Sequence, residues 1–271
     1  MVIFGCSWYN VGSMDFISVS KKHSLASSIA HIFLNIILVA ACWLSIFVTK
    51  MPFLAIILVI ISKWRTFAVR PLYWAANFKS NLVDLIFSLG VVVLMFSSID
   101  FWLSQTALII VYLGWLLWLK PQNSENLVKA QALLSIFVGL TAILSVAYSW
   151  PVEIVVISAF IIGYASFRHV LSSDENNNIE LLSLFWGMIF AEFIWVLSFL
   201  LVGYTVKVGD IFIFTIPQAS IIATVISFLT FEALSISRNN NKTARDLIVP
   251  TLFTLSICLL LILLFSTIPQ S

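Results

Sequence analysis

Between Glu180 and Lys207 the chain carries a single charged residue, Glu192, and that stretch is one of many apolar runs long enough to cross a bilayer. A span needs about 20 apolar residues in a helix, and lipid offers backbone groups no partner outside a helix or a closed barrel. Segments of about ten residues alternating apolar and polar, the mark of a barrel, are absent. The runs therefore predict an all-α, polytopic membrane helix bundle. Hydrophobic residues make up 61% of the chain and charged residues 10%, against about 45–50% and 25% in a soluble domain.

Spans are predicted at 24–48, 51–70, 82–99, 101–119, 127–148, 151–171, 181–203, 211–234 and 247–267, which is nine. Pro52, Pro71, Pro121 and Pro151 and the polar clusters 172–180 and 237–246 separate them. The second is the weakest, because only Met51 to Ser62 is cleanly apolar, and without it eight spans remain. Residues 1–23 form an N-terminal tail with no basic region of a signal peptide. Residues 24–271 form one transmembrane domain.

Cytoplasmic loops of membrane proteins concentrate Lys and Arg. With nine spans and a cytoplasmic N-terminus, 12 of the 14 basic residues fall inside; with eight spans and the opposite start, 11 do. Both arrangements put segment 63–81, loop 120–129, Arg168 and loop 238–245 in the cytoplasm.

Four polar residues inside the predicted spans are candidates for function: Glu192, His31, Asn35 and Asp84. Ionisable groups at membrane depth cost about 2.5–3.5 kcal/mol on insertion scales and need a partner, a proton or water. Ser27, His31 and Asn35 recur every four residues and so share one face of the first span. Asn35 is expected at about the depth of Glu192, and His31 within reach of Asp84. The functional reading is a protonation or cation-coupling site; the structural reading is a neutral carboxyl hydrogen-bonded between helices. Glu153 and Glu232 lie near span ends, where water solvates them.

Segment 63–81 interleaves basic and aromatic residues. Trp64 and Trp74 suit the headgroup layer, and Arg65, Arg70 and Lys79 suit anionic lipid headgroups or an anionic substrate. A plain topological anchor accounts for the same pattern. Pro217, followed by Gln218, Ser220, Thr224 and Ser227, opens the eighth span with a polar face of the kind that lines some transport paths.

Phosphate-binding, zinc-protease and serine-hydrolase motifs are missing. Cys6, Cys42 and Cys258 have no metal or disulfide spacing. Asp174, Glu175 and Glu180, beside three asparagines, read as a solvated turn rather than a metal site. No cofactor is implied, and a net charge of +2 argues against nucleic-acid binding.

Three functions remain open: a proton- or cation-coupled secondary transporter of a small solute; a non-catalytic membrane scaffold or complex subunit that binds lipid or a protein partner; and an intramembrane lipid-modifying enzyme. The last has no assignable nucleophile and base.

Overall fold

A computed structural model describes residues 25–64, 68, 70–122, 124–146, 150–172, 178–199, 202–208, 212–238 and 244–264. The helices are α1 (Leu25–Thr49), α2 (Phe53–Ser62), α3 (Trp74–Ser80), α4 (Leu82–Ser97), α5 (Trp102–Gly114), α6 (Glu125–Val146), α7 (Val152–Leu171), α8 (Ile179–Leu197), α9 (Gln218–Arg238) and α10 (Ile248–Leu264). Between α8 and α9 lies an antiparallel hairpin of β1 (Gly203–Val208) and β2 (Phe212–Pro217), with Tyr204 opposite Ile216 and Val206 opposite Phe214.

Among the described residues seven helices are long and apolar enough to cross a membrane; α3 with its preceding turn and α4, bent by 59°, make an eighth if counted as one span. The chain is a multi-pass membrane protein built as an all-α bundle. The expected nine spans are thus reduced. The second, predicted over 51–70, is α2, whose ten residues rise only about 15 Å. Lys50 adopts φ 54° in a tight reversal after α1, and α2 then returns against α1 and α4. Two further boundaries move as well. The seventh predicted span is α8, which ends at Leu197, and the eighth is α9, which begins at Gln218, because residues 203–208 and 212–217 pair as strands rather than extending the two spans.

Helix α6 stands at the centre, packed against α4, α7 and α9. It is buried on several faces, as a central helix requires. Val138 and Ala142 join a core with α1, α2, α4 and α5, whereas Ala132, Ile136 and Leu140 join another with α7, α8, α9 and α10. Helix α8 leans on α7, and glycine permits the approach. A Cβ on Gly163 would fall 2.8 Å from the Phe190 side chain, and one on Gly187 would fall 3.1 Å from Cβ of Tyr164.

The alternating direction of the helices gathers charge at one end. The start of α4, the end of α5, the start of α6, the end of α7, the start of α8 and the end of α9 meet there through ion pairs and hydrogen bonds. The hairpin closes the opposite end, where β2 touches α5, α6 and α9.

Candidate functional site

Glu192 is exposed on α8 and makes no hydrogen bond or ion pair with any described residue. It sits roughly 8 Å along the helix from Leu197 and roughly 18 Å from Glu180, nearer the hairpin end than the mid-span placement expected from sequence. Glu153, in the first turn of α7, lines the same open groove together with Val152, Val156, Ile157 and Trp195. Both carboxylates therefore share one outer face of the bundle. Along α8, exposed side chains recur at Leu181, Phe185, Met188, Glu192 and Trp195, within a wider exposed face that also holds Leu182, Leu184, Ile189 and Val196. Spacings of four and three residues alternate throughout, the seam by which one helix packs along another.

Asp84 is the best-held ionisable group. It is buried in the first turn of α4 and pairs with Lys63, just past the end of α2, and with Lys120, whose ammonium lies 2.7 Å from Oδ2. The Trp115 indole N–H donates to Oδ1 at 2.9 Å, and the same ring stacks on Phe87 with centroids 3.8 Å apart. A π-helical turn over Trp115–Leu119, closed by the Lys120 amide donating to the Trp115 carbonyl, widens the helix so that both residues reach one carboxylate. Such turns occur often at sites of local specialisation. Burial pulls the Lys63 ammonium below its ordinary value, and the Asp84 charge opposes that.

Two more polar groups complete this end. Glu180 accepts from Tyr164 at 2.6 Å and from Arg168 at 3.1 Å, with Lys79 at 3.2 Å. Lys129, itself buried, lies 3.1 Å from Glu232 and 3.2 Å from Glu125, while Gln131 joins His169 to the end of the π-helical turn. Each of these side-chain charges lies beside an opposite one, which makes the layer a structural lock between helices.

His31, Asn35, Trp64 and Arg70 fall outside that lock. His31 is exposed and Asn35 half-buried on α1, joined to each other at 3.3 Å; Asp84 takes its bonds from Lys63, Lys120 and Trp115 instead. Trp64, Arg70, Trp74 and Tyr73 are exposed around the bend before α4, and Lys79 anchors that segment to α8 through Glu180. Arg65, Asp174 and Glu175 lie outside the described residues, as does the tail 1–23.

A cavity of about 300 Å3 under the hairpin has no counterpart in the sequence reading. It is lined by Ser97, Ser98, Ser145, Ser198 and Thr215 and by apolar groups including Phe101 and Phe214. The signal for its lid was present: β-branched and aromatic residues alternate on either side of Gly209-Asp210, a hairpin pattern. From the cavity, α9 turns its polar face toward α6. Thr141 donates to Ser220 at 3.0 Å, and the buried Ser227 hydroxyl has no partner among the described residues.

No protein-family model matches this chain, and no curated protein or solved structure matches it either.

Proposed function

We propose that the protein is a non-catalytic subunit of a membrane complex, and that α8 docks a transmembrane helix of a different protein. The observation that carries this reading is the exposed, unpartnered carboxylate of Glu192 at one position of an otherwise apolar seam. A charge facing lipid alone is costly, and one polar residue in a helix seam sets register and partner at some expense of stability. The partner helix would bring Lys, Arg or another hydrogen-bond donor to the level of Glu192 and Glu153. A second copy of this chain fits less well, since a two-fold contact through the groove would bring acidic groups together.

The segment 63–81 serves as the lipid contact, with Arg70, Trp64 and Trp74 at anionic headgroups. By the excess of Lys and Arg, the charged end faces the cytoplasm.

A photo-crosslinking amino acid at Phe185, Met188 or Trp195, in membranes of the native host, tests the assignment. The expected product is one discrete heteromeric adduct, absent from sites on α10 such as Leu252 and lost in Glu192→Leu. Adducts only to lipid, or only to this same chain, overturn it.

A second reading, transport of a small solute, is supported by the cavity and the polar α6 to α9 seam beneath it. Here the path avoids Glu192. In vesicles holding a pH-sensitive dye, solute-driven proton movement retained in Glu192→Gln and lost in Ser220→Val would favour it over the subunit.

A further inference from the structure

The cavity under the hairpin is independent of the α8 seam and has a chemistry of its own. Among the described residues five hydroxyls line it, and four spend their protons on their own helices. Ser97 and Ser98 donate to the Leu94 carbonyl at 2.9 and 2.8 Å, Ser145 to Thr141 at 2.6 Å and Ser198 to Trp195 at 2.7 Å. The fifth, Thr215, shares a bond of 3.1 Å with Thr205. What these side chains have left for an occupant is lone pairs.

The backbone adds to the same polarity. The last turns of α4, α6 and α8 all border the cavity, and each helix C-terminus carries roughly half a negative charge. Two N-termini, of α5 and α9, oppose them. Part of that opposition is spent, because the Phe101 amide already donates to Ser98 and the Gln218 amide to Val202. Among the described residues no charged side chain lines the space, whereas Phe101 and Phe214 do, and aromatic rings attract cations. The volume sits at the small end of ligand sites, which run from about 300 to 1,000 Å3.

We propose that this cavity is a binding site for a small organic ammonium ion with an apolar body. The ammonium donates to the free lone pairs of Ser97, Ser145 and Ser198 at the negative ends of three helices, while the body lies against Leu94, Leu144 and Phe214. Anions are disfavoured by the same carbonyls, and a neutral alcohol gains the apolar contact without the charge term.

Three nearly isosteric probes separate these cases: 2-phenylethylammonium, 2-phenylethanol and phenylacetate, titrated by calorimetry into the full chain in lipid nanodiscs. The expected result is saturable binding of the ammonium at least tenfold tighter than the alcohol, with no binding of phenylacetate. Ser145→Ala should weaken the ammonium several-fold, and Ser145→Phe, which fills the space, should abolish it. Should Ser145→Phe fail to fold, Ser198→Ala supplies the second variant. Equal affinity for the alcohol would make the cavity an apolar space for lipid tails and overturn the proposal. So would preference for phenylacetate, absence of saturable binding in folded protein, or binding indifferent to the serine variants.

Discussion

Trp115 donates its indole N–H to Oδ1 of Asp84 at 2.9 Å, which leaves Oδ2 to face Lys63 and Lys120. One carboxylate is thereby satisfied by three residues from two elements: Lys63 just past the end of α2, and Trp115 and Lys120, which open and follow the π-helical turn that ends α5. The short helix α2 is pinned to α4 at this point. A half-length hydrophobic helix would otherwise have little to fix its register.

Removing the shared carboxylate leaves two ammonium groups facing each other. Asp84→Ala is expected to lower stability by about 3–5 kcal/mol, the usual result of breaking a buried pair from one side. Lys120→Ala should cost under about 1 kcal/mol, because its side chain is 41% exposed whereas that of Lys63 is 13% exposed. Unfolding in mixed micelles with added denaturing detergent measures both, and equal losses would contradict the assigned hierarchy.

Trp115→Phe separates the hydrogen bond from the ring contact. The stack on Phe87, 3.8 Å between centroids at 10°, survives, and the bond to a charged acceptor does not. A loss of about 1.5–3 kcal/mol is expected, with helix content by circular dichroism unchanged. A loss below about 0.5 kcal/mol would mean the indole N–H is not needed by Asp84.

Two glycines make a matched pair. Gly163→Val places atoms where the Phe190 ring and Cβ already stand, 2.8 Å from the first added carbon, and should separate α7 from α8 at a cost of about 1–3 kcal/mol. Around Gly114 no atom beyond the local helix backbone lies within 4 Å of an added Cβ, so Gly114→Ala should be neutral or stabilising by up to about 1 kcal/mol. Thermal inactivation or dispersed fluorescence melting of the two variants shows whether helix approach or helix propensity dominates.

The two ends of the bundle should be chemically distinguishable in whole cells. With Cys6, Cys42 and Cys258 replaced, a cysteine at Arg70 and one at Lys207, on the hairpin, should label from opposite sides with an impermeant maleimide. Labelling of Lys207→Cys alone from outside is expected. Outside labelling at Arg70→Cys would invert the topology argued from basic residues.

Sequence alone determined that this chain is an all-α membrane bundle, since uncharged runs of span length leave the backbone no other way to satisfy its polar groups. It also singled out Asp84 and Glu192, because a charge among apolar residues is visible without coordinates. What each carboxylate meets was decided only by tertiary packing. Asp84 finds Lys63 and Lys120 through the return of α2 and the π-helical turn, contacts between residues 21 and 36 positions apart that no local pattern encodes. Glu192 meets no partner among the described residues, because α8 turns that face outward while Gly163 and Gly187 draw its other side onto α7. The number of spans likewise depended on three-dimensional structure. Apolar character is a property of composition, whereas the end of α2 at Ser62 and the pairing of residues 203–208 with 212–217 depend on which neighbours receive their side chains.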